Sequence, residues 1–173
     1  INSGSILTLI APPKSGKTVL LTNIFERKSL LKDAFDEIFI FSTTALNGDA
    51  SAKHLIDDER TTAFNTFPNI RKNSLMFNLA SMYRHYGIKL LVYSSQIYRG
   101  LPPIVRQSTD YFVMFSNGNA KEVEKIYDEI GSRYGSKKTF FNLLNEATKN
   151  KYNFLYLDLY NRPALAYRNF NHL

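Results

Sequence analysis

Cysteine is absent from the 173 residues. That absence excludes a disulfide-stapled scaffold and a thiolate zinc site, and it fits a reducing compartment. No apolar run approaches the roughly 20 residues needed to cross a bilayer, so no membrane span is expected. The opening Ile1–Ser5 lacks the basic n-region of a signal peptide. A soluble intracellular protein is the expectation. Internal repeats and low-complexity linkers are also absent. So is the Asn-Lys-x-Asp motif that reads guanine, because Asn150-Lys151-Tyr152-Asn153 lacks the acid; a GTPase is disfavoured.

What is present suits an ordinary folded domain. Hydrophobic residues make up 44% of the chain, with 13 Phe and 11 Tyr, enough to bury the core of one α/β domain over residues 1–173. The 22 Lys and Arg outnumber the 15 Asp and Glu, for a formal charge of +7. Such an excess favours polyanionic partners such as nucleic acid. The basic residues are scattered, as in Arg27 beside Lys28 and Lys137 beside Lys138, so a solvated face accounts for them as well as a binding patch does.

Apolar patterning alternates strands with helices. Ser5–Ile10 reads as a buried strand, Lys17–Arg27 as a helix with Val19, Leu20, Ile24 and Phe25 inward, and Glu37–Ser42 as a second strand. From Asn47 to Asn73 the pattern is weak. Ser74–His85 reads as a helix with Leu75, Leu79 and Met82 on one face and Ser74 as its N-cap. Strands are predicted at Ile88–Ser94 and Asp110–Phe115, helices at Lys121–Ile130 and Thr139–Lys149, and a closing hairpin from Phe154–Asp158 and Ala164–Tyr167. The predicted fold is α/β, a mostly parallel sheet covered by helices on both faces, with ligands at the carboxyl ends of the strands.

The segment after the first strand is the most specific. Ala11, Pro12, Pro13, Lys14, Ser15, Gly16, Lys17 and Thr18 match the Walker A pattern except that Ala11 replaces the first glycine. A strand before it and a helix after it supply the required context. Gly16 lets the backbone approach phosphate, while successive N–H groups and the helix N-terminus surround the anion. Lys17 is expected to reach the β- and γ-phosphates of ATP, and the Thr18 hydroxyl to ligate Mg²⁺. An alanine at position 11 fits if its φ is negative.

Hydrolysis also calls for an acidic residue at the end of another apolar strand, and no such strand is evident. Asp57 and Asp58 follow only two apolar residues, Leu55 and Ile56, and read better as a solvated turn. A segment missing from the chain between about Ile56 and Phe64 is the alternative. Gln96, after the Ile88–Ser94 strand, is placed either to orient a water near the γ-phosphate or as an ordinary loop residue. Arg84, at a helix end expected to project from the sheet's carboxyl edge, and Arg106, after Pro103, are either arginine fingers or surface arginines.

Together the Walker loop, Arg84-His85, Ser95-Gln96, Tyr98, Leu101-Pro102, Arg106 and Asp110 resemble the genome-packaging ATPases of poxviruses and other nucleo-cytoplasmic large DNA viruses. The similarity runs from about Ile6 to Asp158 and extends to the wider family of septal DNA translocases and archaeal helicase-like pumps. It implies a P-loop NTPase fold with a RecA-like, mostly parallel sheet, and an ATP-driven motor that translocates double-stranded DNA into a capsid. It further implies a homo-oligomeric ring of five or six subunits at a capsid vertex, at the assembly site in the host cytoplasm or in the virion. Carried over, Lys17 and Thr18 bind phosphate and Mg²⁺, Gln96 senses nucleotide state, and Arg84, opening the Arg-x-x-Gly turn to Gly87, is the finger reaching a neighbour's ATP. In those relatives an acidic pair closes a hydrophobic strand shortly before the Arg-His helix, which puts the end of the missing segment near Ala63. The competing readings are a small-molecule P-loop kinase, with Gly131–Lys138 and its Arg133, Lys137 and Lys138 as the lid, and a non-catalytic DNA-binding or capsid-interaction module.

Overall fold

The computed structural model describes residues 4–27, 31, 34–41, 50, 52–64 and 75–172. The chain divides into two compact units, Ile1–Ser15 with Phe77–Leu173, and Gly16–Met76.

The first unit is built on a six-stranded sheet in the order β4-β1-β5-β6-β7-β8. These strands are β1 (Ser5–Ile10), β4 (Leu90–Ser95), β5 (Tyr111–Phe115), β6 (Phe154–Asp158), β7 (Leu165–Arg168) and β8 (Asn171–His172). β1 lies between β4 and β5 and runs parallel to both. From β5 outward every pairing is antiparallel. The predicted α/β sheet is present, with its parallel pairings at the β4-β1-β5 end of this unit's sheet. β6 and β7 form the predicted closing hairpin, whereas β5 reaches its antiparallel partner β6 only after two helices.

β1 is buried at every position, its edges paired with β4 and β5 and its side chains covered on both faces. Ile6, Leu7, Leu9 and Ile10 are each at most 1% exposed, and burial of such a side chain stabilises the fold by roughly 2 kcal/mol. The exception in type is Thr8. The Thr109 hydroxyl donates to Val105 O, so Thr8 Oγ1 donates across the 2.7 Å contact to Thr109 Oγ1 and both buried hydroxyls are satisfied.

Helices α4 (Pro103–Gln107), α5 (Ala120–Glu129) and α6 (Lys137–Ala147) complete this unit, together with 3-10 turns at Tyr98–Gly100 and Gly131–Tyr134. Side-chain caps set two helix starts. Asn119 Oδ1 accepts from the N–H groups of Lys121 and Glu122, and Ser136 Oγ accepts from Thr139 N, so α6 begins two residues before its predicted start. The predicted stripe of α5 is core, with Val123, Ile126 and Ile130 buried. Helix α3 (Leu75–Met82) differs from expectation: Ala80 and Tyr83 are buried while Met82 is exposed. The residue expected to cap it, Ser74, lies outside the described residues.

The second unit contains α1 (Lys17–Glu26), a short α2 (Lys53–Ile56), and the parallel pair β2 (Ile38–Phe41) and β3 (Thr61–Phe64). Leu20 and Ile24 are buried as predicted, but Val19 is 52% exposed. Neither α2 nor β3 was legible in the sequence. β3 alternates half-buried and exposed residues and is not a continuous apolar strand.

Under α6, Phe140 is fully buried, and a Cβ added to Gly131 would come within 3.0 Å of its ring. Gly131→Ala is therefore expected to destabilise by about 1–3 kcal/mol through overpacking, and Phe140→Ala by about 3–5 kcal/mol through the cavity it leaves. In the double variant the added methyl has room, so urea unfolding should show the Gly131→Ala penalty vanish in the Phe140→Ala background. Additive penalties would contradict this packing.

Candidate functional site

The loop after β1 begins in a defined hydrogen bond. Ala11 N donates to Ser95 O at 3.0 Å, continuing the ladder in which Ile10 faces Ser95. The carboxyl ends of β1 and β4 are thereby locked side by side. Ala11 is fully buried, and it is absent from the residues with positive φ, which is the condition under which alanine can replace the first glycine. Positive φ appears instead at Lys14, 61°. Ser15 Oγ donates to Pro12 O at 2.7 Å and closes the turn between them.

Gly16 stands at the N-cap of α1 with φ 94°, a left-handed conformation that costs glycine little. No side chain caps this helix, and no acidic residue occupies its first turn. Lys17 and Thr18 are its first two residues. The local backbone therefore has the features of an anion cradle: a turn with left-handed residues running into a helix N-terminus whose own first turn carries no carboxylate. Such a backbone suits phosphate.

Gln96 follows β4 directly and is exposed. Ser95 Oγ donates to Ile97 O at 2.9 Å and accepts from Ile97 N at 3.2 Å, so one hydroxyl spans Gln96 and sets its turn. A second anchor lies just beyond. The carboxylate of Glu122, in the first turn of α5 and 5% exposed, accepts from Tyr98 N at 2.9 Å and Arg99 N at 3.3 Å, and its other oxygen pairs with Arg99 Nε at 3.3 Å. Sequence reasoning missed Glu122 because a glutamate beside Lys121 and Glu124 reads as solvated helix surface. These contacts hold Gln96 at the same sheet edge as the phosphate loop.

The arginines occupy other places. Arg84 Nε donates to Gly4 O at 3.0 Å and to the Tyr83 hydroxyl at 3.1 Å, with the guanidinium 5.4 Å from the Tyr83 ring. Burial pushes the Tyr83 hydroxyl up, against the pull of Arg84, and the hydrogen bond to Tyr83 raises Arg84 further. Gly4 precedes β1, so Arg84 sits at the amino edge, roughly 20 Å from Ala11 at about 3.3 Å per residue. The expected projection from the carboxyl edge is overturned: the turn Arg84–Gly87 leads into the start of β4, not its end.

Arg106 lies on α4 with its Nε 3.4 Å from Glu129 Oε2 and its guanidinium 5.3 Å from the Tyr98 ring. That contact is an ion pair without hydrogen-bond geometry, since Nε has no hydrogen-bond partner. Glu129 also takes Lys125 at 2.9 Å and the Tyr98 hydroxyl at 2.7 Å. Arg106 is thus a packing element, 14% exposed, and not a free finger.

Asp57 and Asp58 lie in a turn, as the sequence pattern favours, and two alternative readings are disfavoured by position. Asp57 ends α2, and Asp58 pairs with Arg60 at 2.6 Å; both precede β3, at its amino end, where an acidic pair that closes a strand cannot be. The lid assigned to Gly131–Lys138 stands at the wrong edge. Tyr134 donates to Asp158 O at 3.1 Å, and Asp158 pairs with Tyr111 at the start of β5, opposite the phosphate-loop edge. Lys137 is held by Glu124 at 2.7 Å. Among the described residues, no group of three or more His, Asp or Glu could hold a metal ion. None of their helices is long and apolar enough to cross a membrane.

No protein-family model and no curated protein matches the chain. Solved structures do. The genome packaging NTPase B204 from Sulfolobus turreted icosahedral virus 2, in complex with ATP-gammaS, is similar over 100% of both chains with a TM-score of 0.68 and 18% identity. B204, the DNA-packaging ATPase from Sulfolobus Turreted Icosahedral Virus, covers 96% of this chain and 98% of its own at a TM-score of 0.67 and 18% identity. The chain shares the α/β fold of a genome-packaging NTPase. The AMPPCP complex of the first protein matches with a TM-score of 0.64 and 19% identity over 96% of this chain and 98% of its own.

The Glu129 cluster yields a pH-dependent expectation. Burial alone would push its carboxyl up, but the hydrogen bonds from Lys125 and Tyr98 and the charge of Arg106 hold it below the usual range. A depressed folded-state pKa contributes stability above the unfolded value of about 4.3, and that contribution is lost as pH falls through the folded value. Arg106→Ala should cost about 2 kcal/mol at pH 7, as a half-broken, mostly buried ion pair. The stability gap between wild type and Glu129→Gln should be full at neutral pH and shrink below about pH 4. Urea unfolding at both pH values checks this; a gap that ignores pH would contradict it.

Proposed function

We propose that this chain is the subunit of an ATP-hydrolysing motor that moves double-stranded DNA into a viral capsid. One observation carries the reading: the Ala11–Ser95 hydrogen bond, which joins the start of a Walker-type phosphate loop to the strand end bearing Gln96. The shared fold of a genome packaging NTPase supports it. So does the formal charge of +7, which suits a polyanionic substrate.

In this reading Lys17 neutralises the β- and γ-phosphates, Thr18 offers its hydroxyl to Mg²⁺, and Gln96 orients the attacking water. The backbone of Ala11–Gly16 cradles the phosphates, and no protein nucleophile is needed. Arg84 retains a role only in trans, with the amino edge of one subunit facing the phosphate loop of the next in a ring of five or six. That ring at a capsid vertex, working at the assembly site in the host cytoplasm or in the virion, is the arrangement implied by kinship with poxvirus-type packaging ATPases. We also propose that residues 1–173 form one P-loop domain and that its Mg²⁺-holding carboxylate comes from a segment between Ile56 and Phe64 that this sequence lacks. Peptide mapping of the native protein that finds added residues between Ile56 and Phe64 would meet that expectation, and a peptide running straight from Ile56 to Phe64 would refute it. Nothing in the geometry favours a small-molecule kinase, whose lid candidate lies at the opposite edge.

Hydrolysis of ATP should be stimulated by duplex DNA, and Lys17→Ala should reduce turnover by about 10² or more while the chain still unfolds in a cooperative transition. Phosphate release with and without duplex measures both. Turnover indifferent to duplex, or intact in Lys17→Ala, would contradict the reading.

A further inference from the structure

The carboxyl edge of the sheet carries more than the phosphate loop. β6 begins where β5 ends, since Phe115 pairs with Phe154, and β7 ends there too, with Arg168 opposite Leu155. The turn between α6 and β6, residues 148–153, and the turn between β7 and β8 therefore lie on the edge to which β1 delivers Ala11. They stand two and three strands away, about 10 and 14 Å at the usual strand spacing. Asn169 ties the two turns together. Its N–H donates to Phe154 O at 2.9 Å, its Oδ1 accepts from Phe154 N at 3.1 Å, and its Nδ2 donates to Asn153 Oδ1 at 3.3 Å.

The composition of this double turn is one-sided. Residues 148–153 and 168–172 include Lys149, Lys151 and Arg168 and no aspartate or glutamate. All three basic side chains are exposed, as are Tyr152 and Phe170, at 58% and 42%. Four asparagines supply amide donors. Such a surface complements a polyanion whose contacts are phosphate oxygens.

Tyr152 adds an independent observation. Among the described residues, three that are not glycine have positive φ: Lys14, Tyr152 and Asn169. Lys14 belongs to the phosphate loop, and Asn169 is a residue type that tolerates the left-handed region and uses its side chain in the clamp. Tyr152 has neither explanation. A bulky side chain is strained at φ 70°, and more than half of this one remains exposed, so burial does not offset the strain. Its ring is occupied by Lys151, whose Nζ lies 4.8 Å from the centroid, which orients the pair together. Tyr152 is the third residue of the turn that Asn153 N closes on Asn150 O at 3.1 Å, a position usually left to glycine, and strain kept by a tyrosine on an exposed, cation-bearing tip points to function.

We propose that this tip grips the backbone of duplex DNA, with Lys149, Lys151 and Arg168 neutralising phosphates and the Tyr152 hydroxyl donating to a phosphate oxygen. The inference rests on the motor reading above and gives it a DNA contact on the nucleotide-facing edge. Contacts to phosphate carry no sequence information, as a translocating motor requires. An acidic protein surface is the other polyanion that could fit, and the experiment separates the two.

Fluorescence anisotropy of labelled duplexes of unrelated sequence, titrated with the full chain across a salt series, measures the contact. The Lys149→Ala/Lys151→Ala variant should bind about tenfold more weakly, and its slope of log affinity against log salt should be shallower by about 0.9 for each lysine removed. Tyr152→Gly should raise the thermal unfolding midpoint, because glycine accepts the left-handed conformation, yet weaken duplex binding. Both should bind ATP as wild type does. Lys138→Ala, an exposed lysine at the opposite edge, should keep wild-type affinity. If wild type binds duplex and both tip variants match it in affinity and slope, the tip is not the DNA contact, as would be expected were its partner a protein. An equal loss in Lys138→Ala, or a lowered midpoint in Tyr152→Gly, would also overturn the proposal. If wild type fails to bind duplex even at low salt, the motor reading falls together with the tip.

Discussion

The parallel pairing of β1 between β4 and β5 is the constraint on which the rest depends. The strand's two edges are satisfied by the backbone ladders to β4 and β5, and its side chains, buried on both faces, are apolar apart from Ser5 and Thr8, the latter hydrogen-bonded to Thr109. Because the ladder continues one residue past Ile10 into the Ala11–Ser95 bond, the phosphate loop and the Gln96 turn begin at fixed positions relative to each other. Ser95 and the buried Glu122 then hold that turn from two sides. The arrangement is preorganised by packing far from the loop, and this is the condition under which hydrogen-bond donors stabilise developing charge most effectively.

The two edges of this sheet divide the chemistry. The carboxyl edge bears the backbone cradle, Gln96, and the basic double turn around Tyr152 and Asn169. The amino edge bears Arg84, Asp110 and the Gly131–Lys138 segment, where side chains are committed to backbone groups: Arg84 donates to Gly4 O, Asp110 Oδ2 accepts from Ile6 N, and Tyr134 donates to Asp158 O. An arginine committed to a backbone carbonyl of its own subunit can act on nucleotide only by changing partners. Arg106, with Glu129 and Tyr98 around it, has its partners on α5 and in the Tyr98–Gly100 turn.

Much of this was legible in the sequence, for identifiable reasons. β1, β4, β5 and β6 are short apolar runs bounded by turn residues, so their existence follows from pattern, although β4 begins two residues after its predicted start. The candidate phosphate loop could be singled out because its residues are particular types at particular spacings, and it lies between β1 and α1 in the chain. What failed depended on direction and pairing. Arg84 was assigned to the wrong edge because periodicity gives a helix end but not which end of the next strand it meets. Met82 and Val19 carry apolar side chains that nothing in the described structure covers, since periodicity marks a face and not its partner. β3 and α2 are four residues each, too short for any period to emerge, and Glu122 is buried by contacts with a turn more than 20 residues away. Ala11 was tolerated for the reason its small size suggested, with the left-handed conformation falling at Lys14 and Gly16 instead.

The central claim is that nucleotide is held by the backbone between Ala11 and Thr18, next to the Gln96 turn. Amide hydrogen exchange, compared with and without a slowly hydrolysed ATP analogue and Mg²⁺, tests it directly. The account predicts slowed exchange in the peptides covering Lys14–Thr18 and Ser95–Ile97, with no change in Gly131–Lys138 or around Arg84. Protection confined to the amino edge, or none at the phosphate loop under saturating analogue, would contradict it.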